Sequence, residues 1–278
     1  RRVPIEDGNI ALVQDLSKCK NCSLCRKACA VDMGVFDYYD LTTNGDHPIC
    51  IHCGQCASIC PFDSINERSE IDEVKAAIAD PNKIVVFQTA PAVRVGLGEE
   101  FGMEAGTFVE GKMVAALRKL GGDYVLDTNF GADMTIMEEA SELVERVLNG
   151  SGELPQFTSC CPAWVKFAET FYPEFLPNLS TAKSPIAMQA PTQKTYFAEK
   201  MGIDAKQMVA VAVTPCTAKK FEIRRDEMNS SAEYWESPEM RDTDYCITTR
   251  ELAKWLRAEE VNFDELEDST FDPLMGEA

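Results

Sequence analysis

The chain has 278 residues, of which 45% are hydrophobic and 26% are charged. This is the composition of a globular protein, and it excludes a disordered or fibrous chain. The 27 basic and 46 acidic residues give a net charge of −19, which provides no basic surface for a phosphate backbone and argues against a nucleic-acid partner.

The first residues do not form a targeting signal. Val3-Pro4-Ile5 runs directly into Glu6 and Asp7, so no apolar segment follows Arg1-Arg2. No stretch of the sequence reaches the roughly 18 consecutive apolar residues that a membrane-spanning helix needs. We therefore expect a cytoplasmic protein with no membrane insertion.

Eight of the 12 cysteines lie in the first 60 residues, in two runs with the same spacing. The runs are Cys19-x2-Cys22-x2-Cys25-x3-Cys29 and Cys50-x2-Cys53-x2-Cys56-x3-Cys60. This is the spacing of bacterial two-cluster ferredoxins, in which three thiolates of one run and the last thiolate of the other hold each [4Fe–4S] cluster. The rule assigns Cys19, Cys22, Cys25 and Cys60 to a first cluster, and Cys50, Cys53, Cys56 and Cys29 to a second. A pair of zinc sites or a disulfide framework would leave the fourth cysteine of each run unexplained.

The two histidines of the chain, His47 and His52, flank the start of the second run. Either could ligate iron or form a hydrogen bond beside a cluster. The segment 1–70 carries 7 basic and 10 acidic residues, whereas residues 71–278 carry 20 and 36. A small acidic ferredoxin is therefore expected to dock on residues 1–70.

The rest of the chain alternates between strand and helix patterns, which predicts an α/β sheet. The predicted strands are Ile84–Gln88, Tyr124–Asp127, Gln156–Ser159, Met208–Thr214 and Asp244–Thr248. The predicted helices are Thr107–Leu120, Ala132–Leu148, Ala163–Phe171, Ser184–Met201 and Thr249–Ala258. In the second of these helices, Met134, Met137, Ala140, Val144 and Val147 mark one apolar face.

Unusual residues follow three of the predicted strands. They are Thr89-Ala90-Pro91, Cys160-Cys161-Pro162 and Pro215-Cys216. Ligands of open α/β sheets bind beyond the carboxyl ends of the strands, so we expect an active site where these segments converge. Cys246 lies within a strand pattern and is predicted to be a small core residue.

At these segments the sequence resembles the [FeFe]-hydrogenases. The similarity is carried by Thr158-Ser159-Cys160-Cys161-Pro162-Ala163-Trp164, by Pro215-Cys216-Thr217-Ala218-Lys219-Lys220-Phe221-Glu222, and by Asp127–Asp133, Thr135–Glu139 and Ala182–Pro185. The resemblance implies an α+β ferredoxin-like 2[4Fe–4S] domain at residues 1–68 and an α/β H-cluster domain at residues 80–278. The H-cluster is a [4Fe–4S] cubane joined to a diiron unit with CO, cyanide and a dithiolate amine.

The resemblance also implies roles for individual residues. Cys161 and Cys216 would be two ligands of the cubane, and Cys160 would donate and accept the proton at the bridging amine. Lys219 would hold a cyanide through a charge-assisted hydrogen bond. Ala90 and Pro91 would pack against the diiron ligands and exclude water.

Two features depart from the family pattern. Thr214 occupies the position before Pro-Cys where the family usually has Met. The last residues resemble a mid-domain segment, and the third family signature, which supplies the other two cubane ligands, is absent from residues 1–278. The H-cluster domain is therefore expected to be incomplete at its C-terminus, and a C-terminal polypeptide would have to complete the cofactor.

The proton path of the family runs from the thiol through two carboxylates and a serine. By resemblance these are Cys160, Glu139, Ser180 and Glu142, with Arg146 at the mouth of the path. The residues alone favour another interpretation, in which Glu142 and Arg146 form an ordinary i,i+4 pair on a solvated helix face. Glu222 is likewise either a solvated charge or the buried partner of a basic side chain.

Three functional hypotheses follow. The first is a ferredoxin-linked [FeFe]-hydrogenase that interconverts protons and H₂, with electrons relayed through two [4Fe–4S] clusters from ferredoxin or a similar low-potential carrier. The second is a non-catalytic relative, either a hydrogen sensor or an iron–sulfur assembly factor. The third is one half of a split hydrogenase. The presence of Cys160, which has no ligand role in the family, favours a catalytic protein.

Overall fold

The computed structural model describes residues 2–35 and 49–274, so His47 lies outside the described residues. The strands are β1 (Leu12–Gln14), β2 (Ile65–Glu67), β3 (Ile84–Thr89), β4 (Tyr124–Asp127), β5 (Met208–Thr214) and β6 (Tyr245–Thr248). The α-helices are α1 (Leu24–Lys27), α2 (Gln55–Ser58), α3 (Ile71–Ala79), α4 (Val93–Gly96), α5 (Glu110–Lys119), α6 (Asn129–Asn149), α7 (Pro162–Phe171), α8 (Pro185–Thr192), α9 (Ala198–Met201), α10 (Lys219–Glu222), α11 (Ser230–Tyr234) and α12 (Thr249–Ala258). Shorter 3₁₀ segments span Leu97–Phe101 and Pro173–Asn178, and π-helical segments span Ala28–Asp32 and Gln193–Phe197.

The N-terminal module, residues 2–35 and 49–67, is built on two short antiparallel strands. Leu12 of β1 lies opposite Glu67 of β2. The module's apolar core is small and consists of Ala11, Leu12, Ile65, Ala57 and Cys56, with further cysteines packed against it. So small a core buries little apolar surface, so a fold of this kind gains stability from groups bound by its thiols.

The body is organised around a parallel sheet with the strand order β4-β3-β5-β6. Every residue of the central strand β5 is buried, as its uninterrupted apolar sequence predicts. Alternate residues of the strands pack on opposite faces. Phe87 and Val211 lie in the larger core with α5 and α12, whereas Val86 packs with Phe197 on the other face. The predicted α/β architecture is confirmed, and the carboxyl ends of all four strands lie at one edge.

The segment between the two predicted domains contains helix α3. Helix α3 buries Val74 completely in the main core. Just before it, the Glu70 carboxylate accepts hydrogen bonds from Arg224 at 2.7 Å and from the backbone N–H of Cys246 at 2.7 Å. This segment therefore packs as part of the body.

The strand predicted at residues 156–159 is wrong. In the structure only Phe157 pairs with another segment, through an isolated parallel bridge to Leu179. The short polar sequence around Phe157 offers no apolar run that could fill a place in the sheet. Cys160 and Cys161 thus follow an extended segment, and Pro162 begins α7 in the first helical position, which proline favours.

The apolar face that the sequence marks on α6 is largely exposed to solvent in the structure. Met137, Val144 and Val147 are 71%, 53% and 58% exposed, and the opposite, polar side of the helix contacts the body. Periodicity identifies an apolar stripe but not the surface that the stripe meets.

None of the helices in the described ranges is long and apolar enough to cross a membrane.

Candidate functional site

The cysteines that the sequence assigns to the first cluster surround one small cavity. Its lining includes Cys19, Cys22, Cys25 and Cys60, so a thiol of the second run joins three of the first. Cys22 is exposed and the other three are half-buried. The loop carries left-handed backbone conformations at Asn21 and Ser23, with φ of 53° and 68°. Such turns let a short loop present several thiols to one point.

The cysteines assigned to the second cluster surround another cavity in the same way. Cys29, Cys50, Cys53 and Cys56 line it together with apolar side chains. Burial raises the pKa of the Cys50 thiol to about 11 and raises that of Cys56 as well. Thiols in so apolar a cavity carry negative charge only beside a compensating cation, which an iron–sulfur cluster supplies.

These two cavities fit clusters better than single ions. Among the described residues, no three His, Cys, Asp or Glu side chains are gathered closely enough to hold one metal ion. A cubane is bound at its corners, so its four thiolates stand farther apart than the ligands of a zinc ion. Four thiols line each cavity, three from one run and the fourth from the other, as the ligand sets of two [4Fe–4S] clusters require.

Paired substitutions can test the crossed assignment. The anaerobically reconstituted chain is expected to hold about eight iron atoms in this module. Cys29→Ala with Cys56→Ala removes two thiols from one cavity and should leave about four iron atoms. Cys22→Ala with Cys29→Ala removes one thiol from each cavity and should leave none, although both residues belong to the same run.

Iron and zinc per chain are measured by atomic spectroscopy, with the Cys246→Ala variant as the control. Zinc in place of iron, or four iron atoms in the Cys22/Cys29 double variant, would contradict the assignment.

In the body, two loops converge beyond the carboxyl edge of the sheet. The Lys219 ammonium, at the start of α10, donates to the backbone carbonyl of Cys160 at 2.9 Å and to the Glu222 carboxylate at 2.8 Å. Lys219 is 7% exposed and Glu222 3% exposed, so Glu222 is the buried partner of a cation and not a solvated charge. A buried ammonium is tolerated only beside such an acceptor.

The pKa of the Cys216 thiol is raised above its ordinary value. Burial raises the pKa of the Cys216 thiol, Lys219 lowers it, and the neighbouring Cys161 thiol raises it again. Cys160 and Cys161 are both exposed, whereas Cys246 is fully buried on β6, as predicted for a core residue. Cys160 and Cys161 are therefore accessible on the loop that Lys219, three residues after Cys216, contacts.

The remaining predicted contacts of the site are the loop after β3 and the end of β5. Ala90 is half-buried and Pro91 is exposed at the rim. Thr214 is 2% exposed, and its hydroxyl accepts a hydrogen bond of 3.4 Å from the backbone N–H of Cys216. Compared with methionine, a threonine here shortens the side chain and adds a hydroxyl two residues before the cysteine.

Part of the predicted proton path is joined by hydrogen bonds. The Ser180 hydroxyl donates to one Glu142 oxygen at 2.8 Å, and Arg146 donates to the other at 2.6 Å. Glu139 is not joined to Cys160 or Ser180 by a hydrogen bond in the described chain, and one of its carboxylate oxygens is buried without a partner there. That oxygen is available to a water molecule or a substrate proton.

The interpretation of Glu142 and Arg146 as a solvated surface pair is wrong. Arg146 is 6% exposed and also donates to the backbone carbonyls of Glu153, Pro177 and Leu179. Burial raises the pKa of Glu142, but hydrogen bonds from Ser180, Arg146 and the Thr181 N–H outweigh it and lower the pKa overall. Glu142 is held as an anion at the centre of this network.

Glu142→Gln is expected to destabilise the body at pH 7 by about 1–3 kcal/mol, because it removes an anionic acceptor from buried donors. Folding lowers the pKa of Glu142 below its unfolded value of about 4.5. The stability that its carboxylate contributes is therefore fully present above pH 4.5 and is lost as the pH falls through the pKa of the folded state. The difference in thermal unfolding midpoint from the unsubstituted protein should therefore shrink at acidic pH. The exposed Glu145→Gln on the same helix is the matched control, and equal shifts for both variants would contradict the prediction.

One positioning contact was not anticipated from the sequence. Arg94 of α4 is 6% exposed, lies bidentate on the Asp127 carboxylate that ends β4, and also contacts Glu110. This clamp connects the segment after Ala90 and Pro91 to the start of α6. Asp127 belongs to a recognised motif, but no local pattern identifies Arg94 as its partner.

Comparison with known proteins gives a match for both parts of the chain. Residues 11–61 match the family described as a 4Fe-4S dicluster domain. Residues 83–278 match the family described as the C-terminal domain of the iron only hydrogenase large subunit. These matches confirm the predicted fold, with its iron–sulfur module and H-cluster domain.

Individual relatives show the same pattern. Iron hydrogenase 1 of Clostridium pasteurianum is 44% identical over 98% of this chain and 48% of its own length. A solved apo [FeFe]-hydrogenase from Chlamydomonas reinhardtii superposes with a TM-score of 0.70 at 41% identity, over 76% of this chain and 52% of that one. Cytosolic iron-sulfur assembly component 3 of Bos taurus is 32% identical over 82% of this chain and 49% of its own length. The chain spans about half the length of the curated relatives that it matches.

Proposed function

The chain belongs to the iron-only, or [FeFe], hydrogenase family, and we propose that it carries the electron-input module and part of the catalytic domain of a reversible hydrogenase. The proposed reaction is 2H⁺ + 2e⁻ ⇌ H₂. The observation that carries this proposal is the contact of Lys219 with the carbonyl of Cys160 at 2.9 Å. It joins the two signature loops, so a ligand thiol, an additional thiol and a buried cation share one site.

The residues present fit an H-cluster in part. Cys161 and Cys216 would hold the cubane, and the Lys219 ammonium would hold an anionic diatomic ligand. When bound, the diiron unit supplies the metal chemistry of forming and splitting H₂. Ala90 and Pro91, at the rim of the site, would exclude water from it.

The remaining site residues would move protons. We assign proton donation and acceptance to the Cys160 thiol, whose unperturbed pKa of about 8.5 suits exchange near neutral pH. Glu139 would receive the proton through the carboxylate oxygen that has no partner among the described residues. Ser180 and Glu142, which share a hydrogen bond of 2.8 Å, would pass it toward solvent. Arg146 positions Glu142 in this chain.

Electrons would enter through the first cluster. At neutral pH the proton couple lies near roughly −0.4 V, which is within the range of [4Fe–4S] clusters. Lys18, Lys20, Arg26 and Lys27 are exposed beside the thiols of the first run. This local positive charge on an otherwise acidic chain supports docking of an acidic low-potential carrier such as a ferredoxin. We place the reaction in the cytoplasm, where thiols stay reduced, and cell fractionation tests that location.

A second candidate is a non-catalytic relative, favoured by the similarity to an iron–sulfur assembly component. The test uses the full-length protein, matured with its cofactors and purified without oxygen. H₂ evolution from reduced viologen and infrared bands of CO and cyanide are expected together. Infrared bands without turnover would indicate a sensor, and the absence of both, with the module's iron in place, would indicate an assembly factor.

A further inference from the structure

The ligand loops of the second cluster and of the body touch across the joint between the module and the body. The Thr217 hydroxyl donates to the backbone carbonyl of His52 at 2.6 Å. Both residues are buried, at 3% and 4% exposure. The carbonyl of His52 belongs to the peptide bond that leads to Cys53, and Thr217 directly follows Cys216. One hydrogen bond thus joins the residues that adjoin a proposed ligand of each cluster.

Gly54 allows this close approach. Its backbone has a φ of 76°, which L side chains rarely adopt, and a Cβ added there would stand 2.5 Å from the Thr217 Oγ1. Any side chain at position 54 would push the two loops apart. The glycine that turns the cluster loop is therefore also the residue against which Thr217 packs.

The surroundings of this contact are apolar and ordered. The His52 ring stacks on Phe221 with ring centroids 4.9 Å apart, and its Nδ1 lies 3.3 Å from the Asn9 side-chain oxygen. One apolar cluster, formed by Val35, Ile51, Ala163 and Ala218, contacts thiols of both sites, namely Cys29, Cys53 and Cys216. One side of the joint between the two ligand loops is therefore apolar.

We propose that Thr217 is a positioning residue for electron transfer between the second [4Fe–4S] cluster and the catalytic cubane. The path from Cys53 to Cys216 consists of covalent bonds and of one hydrogen bond, which the Thr217 hydroxyl donates to the carbonyl of His52. One electron leaves the reduced [4Fe–4S] cluster and reduces the cubane by one electron, with no bond formed or broken and no proton moved. In H₂ oxidation the electron moves in the reverse direction. This inference rests on the proposed function.

The chemistry of the contact explains why the hydroxyl matters. Donor and acceptor states couple more strongly through bonds and a short hydrogen bond than across a van der Waals gap. Valine at position 217 keeps the branched shape of the side chain but leaves the buried His52 carbonyl without its donor. Serine keeps the donor and loses only a methyl group.

The experiment compares full-length, cofactor-loaded Thr217→Val and Thr217→Ser variants with the unsubstituted enzyme. A photosensitiser reduces the module in a light flash, and time-resolved infrared spectroscopy follows the arrival of the electron at the H-cluster. Thr217→Val should slow this arrival several-fold, whereas Thr217→Ser should stay near the unsubstituted rate. Iron content, infrared band positions and the reduction potential of the second cluster should be the same in all three. The exposed Thr170→Val of α7 is the matched control.

Thr217→Ala serves as a second variant without the hydroxyl if Thr217→Val does not assemble. An unchanged arrival rate in a variant without the hydroxyl would overturn the proposal. So would equal slowing in the valine and serine variants, or slowing with a shifted cluster potential. If the unsubstituted enzyme shows neither H₂ turnover nor infrared bands, the proposed function fails. If it shows both and only the rate comparison fails, the role of Thr217 alone is wrong.

Discussion

Cys160→Ala in the full-length enzyme is expected to abolish H₂ turnover while the infrared bands of CO and cyanide stay in place. Cys160 is exposed beside the convergent loops, and the contact that anchors it is made by its backbone carbonyl, which accepts from Lys219 at 2.9 Å. Removing the thiol therefore leaves the anchoring of the loop intact and removes the proton donor. Positioned acid–base groups contribute about 10²–10⁴-fold to a rate, and serine, with a far higher pKa, should restore little of it.

Two further variants separate proton transfer from ligation. Cys161→Ala should lose the infrared bands, since that thiol is assigned to the cubane. Cys246→Ala removes a thiol that is fully buried on β6 and has no assigned role, and should retain both bands and turnover. Loss of the bands in Cys160→Ala, or turnover near the unsubstituted rate, would show that the role assigned to Cys160 is wrong.

The parts of the molecule that the sequence predicts well are those set by local patterns. The two cysteine runs have a spacing that itself encodes the crossing of the fourth thiol, and the cavities in the structure are lined by those sets. Strands β4 and β5 have the predicted bounds because each is an apolar run between polar residues. In these cases the structure is determined by residues that are close together in the sequence.

The parts that the sequence does not predict depend on distant partners. Arg146 is buried because carbonyls near Pro177 and Leu179 accept its hydrogen bonds, and a helical wheel contains no information about them. The contact of Thr217 with His52 joins residues 165 positions apart. The exposed face of α6 shows the same limit, since Met137 and Val144 form a clear stripe that meets no surface of the described chain. Tertiary packing decides such features.

A polypeptide of residues 1–278 is expected to hold two [4Fe–4S] clusters but to show no hydrogenase activity. The body supplies Cys161 and Cys216 as proposed ligands, and its other thiols are Cys160, assigned to the proton, and the fully buried Cys246. A cubane needs four thiolates, so two must come from other residues. The side chains that hydrogen-bond to the cubane's ligands and orient them would also be partly missing.

The test expresses residues 1–278 with the maturation enzymes, alone and together with a second polypeptide that carries a Cys-x3-Cys signature. Reduced viologen supplies electrons, and H₂ is measured by gas chromatography. The polypeptide alone should be reducible, with the spectrum of [4Fe–4S] clusters, yet inactive, and the second polypeptide should restore turnover. Because the module's thiols line their own cavities, reduction of the clusters does not depend on the missing ligands. H₂ evolution by residues 1–278 alone, at the rate of the complemented pair, would contradict the ligand count and place the cubane on other groups of this chain.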